Sequence, residues 1–217
     1  MEQLNIFISV GGTATDNQEN FVSAIEERLR SENLIPNTVG RNKFSADSPL
    51  KTINDLMNDC SGTIIVALER TYFPTGLEKR GGTKESKLTD TKFATPWNQI
   101  EAAMAYSKGQ PLMLIIEEGL KSEGLLEKGY DWYVMWVKPE KSSLTTSEFN
   151  GVLSSWKSKV DLYKNNKSKS NKTKMDPAEL TIGEIIKNLK TSQLWAILGG
   201  LAALIAGAFA LGHMLPK

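Results

Sequence analysis

One glutamate in this sequence stands where a carboxylate could do chemistry. Glu101 follows Trp97 by one helical turn in the segment TPWNQIEAAMAYSKGQPLML. Its neighbours on a helix would be Trp97, Ile100 and Met104, and partial desolvation among them would raise its pKa. Such a carboxyl group suits nucleophilic or general-base catalysis. The other interpretation is a surface glutamate that stabilises the helix N-terminus, and the spacing alone favours that interpretation.

Further polar groups follow the predicted strands, at the ends where ligands of parallel sheets bind. Ser9 lies at the carboxyl end of the first strand, and the turn Gly11, Gly12 and Thr13 follows that strand. Two glycines in the turn let the backbone approach a phosphate closely. Arg41 and Arg70 come after the second and third strands and could pair with phosphate charge. The Gly-Gly-Thr motif matches neither a Walker loop nor the GxGxxG fingerprint, so an ordinary tight turn is the alternative.

Composition excludes several kinds of site. The single histidine, His213, and the single cysteine, Cys60, cannot supply a Ser-His-Asp triad, a HExxH zinc motif or a cysteine-based zinc cage in the main body. No metal site is therefore expected, and catalysis must use carboxylates, hydroxyls, lysines or backbone amides. Residues 1–156 hold 16 Lys+Arg and 21 Asp+Glu, and this net acidic charge does not fit nucleic-acid binding.

Apolar runs alternate with helical patterns along residues 1–163, which indicates an α/β domain. The run TIIVAL is typical of a strand buried on both faces. The simplest arrangement is a five-stranded parallel sheet in a three-layer sandwich, with the flavodoxin-like order 2-1-3-4-5. Residues 69–95 form a long polar excursion with no predicted element. The predicted strands span 4–10, 34–39, 63–68, 111–116 and 130–137, and the predicted helices include 49–60, 96–108 and 147–163.

The C-terminal region has the features of a membrane anchor. Residues 194–215 carry no formal charge, and a helix of that length spans roughly 33 Å, enough for a hydrocarbon core of about 30 Å. A buried helix of a soluble domain is the alternative. We expect a flexible lysine-rich linker at 164–176 and an amphipathic juxtamembrane helix at 177–191. The lysines, and the lack of an apolar run at the N-terminus, predict a single-pass protein whose body faces the cytoplasm and whose linker contacts anionic lipids of the bilayer.

Small residues recur every four positions within the predicted span. Gly199, Ala203 and Gly207 form one such ladder, which lets helices approach closely and predicts a homo-oligomer formed through the transmembrane helix. The alternative is that glycine and alanine are merely frequent in membrane helices.

The region around Glu101 resembles two families. In TIR domains the corresponding segment is similar to S-x-W-C-x-x-E-L, and in nucleoside 2-deoxyribosyltransferases a glutamate precedes x-A-x-A-x-x-x-G-K-P. Here the sequence reads PWNQIEAAMAYSKGQP, and the opening IFIS is similar to the first TIR strand. Asn98 replaces the usual cysteine, Ala102 replaces leucine or glycine, and the excursion at 69–95 exceeds the short loop of these families.

The resemblance implies a TIR-like or deoxyribosyltransferase-like fold. It also implies that Glu101 attacks or stabilises the ribosyl carbon while nicotinamide leaves NAD. NAD or another nucleotide would be the substrate or ligand, with no separate cofactor. Bacterial domains of this kind often serve in antiphage defence, so the resemblance implies that setting as well.

Three functions fit these residues. In a membrane-tethered N-glycosidase, a hydrolase of NAD or a related nucleotide, Glu101 would stabilise an oxocarbenium-like centre while Trp97 and Asn98 contact the ligand. The Gly-Gly-Thr turn, with Arg41 or Arg70, would hold the phosphates. In a non-catalytic nucleotide sensor, ligand-driven clustering would act through the membrane helix. In a structural adaptor, the lysine-rich linker and the aromatic strand at 130–136 would bind a partner, although those aromatics fit a core strand better.

Overall fold

The computed structural model describes residues 3–127 and 132–173, with side chains described as far as Ser168. The strands found in these ranges are β1 (Leu4–Val10), β2 (Leu34–Asn37), β3 (Gly62–Ala67), β4 (Thr71–Glu78), β5 (Ser86–Phe93), β6 (Leu112–Glu117) and β7 (Val134–Val137). The helices are α1 (Asp16–Ser31), α2 (Pro49–Asp59), α3 (Pro96–Ser107) and α4 (Ser147–Thr173).

A five-stranded parallel sheet lies at the centre of the described chain, in the order β2-β1-β3-β6-β7. Strands β4 and β5 pair with each other in a separate two-stranded sheet. The large sheet therefore has the predicted order 2-1-3-4-5, which confirms the α/β class and the flavodoxin-like arrangement. The chain moves outward from β1 in both directions, to β2 on one side and to β3 on the other. A crevice opens at such a reversal, beyond the carboxyl ends of β1 and β3.

Side chains of the central strand β3 alternate between the two faces of the sheet, as the pleat of a strand requires. Ile64 and Val66 pack in a cluster that includes residues of α1 and α4, whereas Ile65 and Ala67 pack with Ala102 of α3. Every residue of β3 is buried because helices cover both faces, which explains the continuous apolar run in the sequence. Helices on both faces give the expected three layers.

The start of α3 is set by its local sequence. Thr95 is the N-cap, and its hydroxyl oxygen accepts a hydrogen bond from the Trp97 backbone N–H at 3.4 Å. Pro96 occupies the first helical position, where a missing N–H costs nothing. With the helix begun at this point, its 3.6-residue period turns Asn98 and Glu101 inward and leaves Trp97 exposed.

The polar excursion at 69–95 is an antiparallel hairpin of β4 and β5 rather than a segment without elements. Its alternation of apolar and polar residues is weak because most of its side chains are exposed on both faces. Ion pairs fasten it to the body: Lys92 to Glu69 at 2.6 Å, and Lys121 to Glu78 at 2.7 Å. Charged contacts of this kind produce no periodic pattern of apolar residues, so the sequence did not predict the hairpin.

Helix α4 is longer than predicted. It extends through Thr173, past the predicted end at residue 163, so residues 164–173 continue the helix instead of beginning a flexible linker. The segment contains no proline or glycine, and extending an existing helix is much easier than nucleating one. The chain divides into two units, residues 1–167 and 168–217, and the second is described only as the last turns of α4.

The predicted membrane elements lie beyond the described part of the chain. The amphipathic segment 177–191, the span 194–215 and its ladder of small residues all fall outside it. Among the described helices, none combines the length and the apolar character needed to cross a bilayer.

Candidate active site

A cleft of about 330 Å³ lies beyond the carboxyl ends of β1 and β3, at the point where the strand order reverses. Five of the predicted site residues line it and are thereby brought together. They are Gly11, Gly12, Arg70, Trp97 and Glu101. The first two come from the turn after β1, Arg70 from the connection between β3 and the hairpin, and the last two from the first turns of α3.

Glu101 combines burial with access to this cleft. The residue is 7% exposed and yet belongs to the cleft lining. Burial raises the pKa of its carboxyl group to about 7, because the charged form loses hydration, and a hydrogen bond with Ser9 lowers the pKa by less than burial raises it. Near neutral pH the site therefore holds both the carboxylic acid and the carboxylate. A carboxylate in such a poorly hydrated place interacts strongly with positive charge that develops beside it.

Ser9 and Asn98, predicted as ligand contacts, lie beneath the cleft rather than in its lining. Both residues are 1% exposed. The Asn98 side-chain N–H donates to the Ser9 hydroxyl oxygen at 2.9 Å, and it lies 3.4 Å from the Ser9 carbonyl oxygen and 3.5 Å from that of Val66. Asn98 thus joins the first turn of α3 to the carboxyl ends of the two central strands.

The turn after β1 and Arg70 form the polar part of the cleft. The Arg70 guanidinium donates to the Gly12 carbonyl oxygen at 3.1 Å, and the Arg70 backbone N–H donates to Phe93 of the hairpin at 2.8 Å. Gly11 packs closely against α3, because a Cβ there would lie 3.1 Å from Cγ2 of Thr95, and Thr95 would have to move by a few tenths of an ångström to admit it. Since the Arg70 side chain is exposed at the cleft, it can receive an anionic ligand group.

Thr13 and Arg41 do not line the cleft, although both were predicted to hold phosphate. The Thr13 hydroxyl donates to Glu19 at 2.7 Å. Arg41 pairs with Glu19 at 2.7 Å and with Glu26 at 3.1 Å. The Arg41 guanidinium lowers the pKa of Glu19 to about 2, and the two glutamates raise the pKa of Arg41 in turn. The first turn of α1 carries Asp16 and Glu19, so its N-terminus does not attract anions.

Sequence reasoning missed the apolar part of the lining. Val10, Val39, Pro49 and Ile53 contribute to it, and Thr95 contributes a hydroxyl group. Apolar residues at strand ends and in first helical turns cannot be distinguished from core residues by pattern. The sequence did contain one signal for these lining residues. A proline begins α2 at Pro49 and α3 at Pro96, and a helix that follows a strand begins at the carboxyl edge of the sheet, where the cleft lies.

The described residues contain no group of three or more histidine, cysteine, aspartate or glutamate side chains that could hold a metal ion. Within that part of the chain, the cleft offers one buried carboxyl group, one arginine, one exposed aromatic ring and the amides of the turn after β1. Trp97 is 40% exposed and lines the cleft, so its side chain is accessible to a planar ligand group that could stack on it.

Comparison with known proteins finds solved structures with distant similarity of fold. No family model matches the chain, and no curated protein matches it. A solved CMP N-glycosidase from Clostridium botulinum is 12% identical, with 64% of this chain and 92% of that chain covered at a TM-score of 0.41. A metal-soaked flavodiiron core from Synechocystis is 13% identical, with 76% and 37% covered at a TM-score of 0.40. Neither similarity bears on activity at these scores.

Proposed function

We propose that this protein hydrolyses the N-glycosidic bond of a nucleotide and that Glu101 is the catalytic carboxylate. The observation that carries the proposal is a nearly buried carboxyl group in the lining of a cleft large enough for a small molecule, about 330 Å³. Buried glutamates with no ion-pair partner are costly to a fold, and such groups concentrate at functional sites.

The chemistry requires stabilisation of positive charge. When the bond between the ribosyl carbon and the base nitrogen breaks, its electron pair leaves with the base and the ribosyl carbon becomes oxocarbenium-like. The Glu101 carboxylate would stabilise that carbon. One water then supplies a hydroxyl group to the carbon. Its proton goes to the base when the base departs as an anion, and to the solvent when nicotinamide departs from NAD, because nicotinamide leaves as a neutral molecule. Because the carboxylate is the active form, activity should rise with pH through about 7.

The other lining residues would orient the nucleotide. Arg70 and the amides of the turn after β1 would bind phosphate, and the Trp97 ring would stack against the base. The apolar residues Val39, Pro49 and Ile53 would exclude water from the sugar. NAD is the substrate implied by the resemblance to TIR domains, and other nucleotides carry the same phosphate, ribose and base.

The test is release of free base by the full-length chain. Purified protein is incubated at high concentration with NAD and with nucleoside mono-, di- and triphosphates, and the products are measured by mass spectrometry. We expect base release by the wild type, none by Glu101→Gln, and full activity in Glu27→Gln, which changes an exposed glutamate of α1. The proposal fails if the wild type releases no base from any nucleotide, or if Glu101→Gln remains active.

A non-catalytic nucleotide sensor is the second candidate. The raised pKa of Glu101 favours the sensor function below about pH 7, where the carboxyl group is mostly protonated. An uncharged carboxylic acid can donate a hydrogen bond to a ligand without attacking it. Calorimetry distinguishes the two functions: a sensor would bind nucleotide, and mass spectrometry would recover that nucleotide unchanged.

We further propose that this activity is tethered to a membrane and serves antiphage defence. The uncharged stretch 194–215 and the ladder of Gly199, Ala203 and Gly207 support a cytoplasmic body on a self-associating single-pass anchor. Membrane fractionation of the full chain tests the anchor. Loss of crosslinked oligomers in Ala203→Leu, with membrane insertion retained, tests the ladder. Loss of phage resistance in Glu101→Gln tests the role in defence.

A further inference from the structure

The backbone of Glu69 lies just past the end of β3, where it leaves the sheet and loses its ladder partners. Side chains of two other elements supply the missing hydrogen bonds. The Glu69 N–H donates to Glu117 at 2.7 Å, and the Glu69 carbonyl oxygen accepts from the side-chain amide of Gln18 at 3.0 Å. The next residue is Arg70, whose backbone N–H donates to Phe93. The arginine of the cleft is therefore carried by a backbone segment that α1, β5 and β6 hold in place.

Gln18 makes a second hydrogen bond, to the residue directly after the turn that follows β1. Its side-chain oxygen accepts from the Ala14 backbone N–H at 2.8 Å. A backbone N–H only donates and a carbonyl oxygen only accepts, so the orientation of the Gln18 amide is fixed at both ends. The residue is 6% exposed and is not part of the cleft lining. One buried amide thus connects the two polar walls of the cleft without lining it.

The position of Gln18 in α1 favours glutamate as much as glutamine. The Thr15 hydroxyl oxygen caps the helix by accepting from the Gln18 backbone N–H at 3.2 Å, and Gln18 is the third residue of α1, where capping boxes place either residue type. A glutamate there could also accept from Ala14, and it would gain from the positive end of the helix dipole. An ionised glutamate could not donate to the Glu69 carbonyl oxygen, however. The amide therefore does more than cap the helix.

We infer that Gln18 is a positioning residue, which fixes the spacing between Arg70 and the turn after β1 so that both contact one phosphate group of the ligand. The Arg70 guanidinium already lies beside that turn, where it donates to the Gly12 carbonyl oxygen at 3.1 Å. Groups held in place before a ligand arrives bind it more tightly, because less ordering is needed on binding. The choice of phosphate as the anion rests on the proposed function, whereas the hydrogen bonds of Gln18 do not.

Protection of Arg70 by inorganic phosphate tests the inference in the full-length chain. Phenylglyoxal, a reagent selective for guanidinium groups, is applied at increasing phosphate concentration, and the modification of each arginine is followed by mass spectrometry of peptides. We expect phosphate to slow the modification of Arg70 in the wild type. Arg80, exposed in the turn of the hairpin, is the internal control, and phosphate should protect it much less.

Two variants of Gln18 remove the hydrogen bond to Glu69 in different ways. Gln18→Glu keeps the acceptor for Ala14 and replaces the donor with a charged oxygen. Gln18→Met is neutral, has a similar shape and loses both hydrogen bonds. Each variant should raise the phosphate concentration that half-protects Arg70 by about tenfold, the effect of losing one buried hydrogen bond.

Asn17→Asp is the matched control for charge. It adds the same negative charge as Gln18→Glu at the neighbouring position, on a side chain that is exposed to solvent. Because solvent and salt screen an exposed charge, the half-protecting concentration should change by less than about twofold. A larger shift in Gln18→Glu than in Asn17→Asp therefore reports the lost hydrogen bond rather than the added charge.

Two outcomes would overturn the inference in variants that remain folded by circular dichroism. One is a wild-type Arg70 that phosphate does not protect. The other is a wild-type half-protecting concentration in either Gln18 variant. If protection changes as expected but no nucleotide loses its base, the proposed function fails and the positioning role stands. If base is released, Gln18→Met should raise KM for the nucleotide by about tenfold and leave kcat within about twofold, because the affected contacts hold phosphate rather than the reacting carbon.

Discussion

Replacing Glu101 with glutamine should stabilise the fold at alkaline pH while it removes the proposed activity. Glutamine is close to glutamate in shape and stays uncharged at every pH. In the unfolded chain the Glu101 carboxyl has an ordinary pKa, and in the folded protein burial raises that pKa to about 7. The folded state therefore binds this proton more tightly, and stability falls as pH rises between the two values.

The size of the effect follows from the shift. Going from the ordinary value of 4.5 to about 7 is about 2.5 pKa units, and each unit corresponds to about 1.4 kcal/mol, so ionising Glu101 costs the fold roughly 3 kcal/mol. The cost is absent below about pH 4.5 and complete above about pH 8. Glu101→Gln should thus match the wild type near pH 4.5 and exceed its free energy of unfolding by about 3 kcal/mol at pH 8.5.

Urea-induced unfolding, followed by tryptophan fluorescence at several pH values, measures this difference. Glu27→Gln, on the exposed side of α1, should show a difference from wild type that does not change with pH by more than about 0.5 kcal/mol. A stability gap between Glu101→Gln and wild type that is the same at pH 4.5 and pH 8.5 would refute the reasoning, because it would mean that Glu101 is not held in a desolvated place.

Three further substitutions test the packing and the charges around the site. Gly62→Ala should lower the free energy of unfolding in urea by about 1–3 kcal/mol, because the new Cβ would lie 2.7 Å from Cγ2 of Val160 in α4. Arg41→Ala removes ion pairs with Glu19, whose side chain is 44% exposed, and with Glu26, whose side chain is 11% exposed. Loss of the exposed Glu19 pair should cost less than about 1 kcal/mol at pH 7. That part of the deficit should vanish as pH falls from about 4.5 toward 2, where Glu19 becomes protonated. Arg70→Ala should lower the affinity for phosphorylated ligands by about tenfold and leave the affinity for nucleosides unchanged, as measured by calorimetry.

Matched controls sharpen these three tests. Gly151→Ala, on α4 with open space around its Cβ, should stabilise the helix by about 0.5–1 kcal/mol, in contrast to Gly62→Ala. If both alanines stabilise, α4 does not pack against β3 as described. If Arg41→Ala lowers the affinity for phosphorylated ligands as much as Arg70→Ala does, the phosphate binds outside the cleft described above.

The large sheet was predictable because its buried strands have continuous apolar sequences. The apolar runs that became β1, β3 and β6 are separated from one another by helices, and right-handed crossovers leave few ways to order them. The hairpin of β4 and β5 has no such apolar sequence, because exposed ion pairs hold it to the body. The sequence did not predict that residues 164–173 are helical, because their asparagines and serines have low helix propensity and no apolar period marks the segment, although none of its residues stops a helix that has already formed.

The sequence alone determined the α/β class and the strand order, because both follow from periodicity, which is a local property of the chain. It also offered Glu101 as a candidate carboxylate, but the spacing favoured a surface position and the resemblance to two families selected the residue. Only the tertiary structure decided which polar groups share a cleft with Glu101. It placed Arg70 there, turned Arg41 to Glu19 and put Ser9 and Asn98 beneath the lining. The reason is that desolvation and ion pairing depend on neighbours distant in sequence, and no local pattern records them.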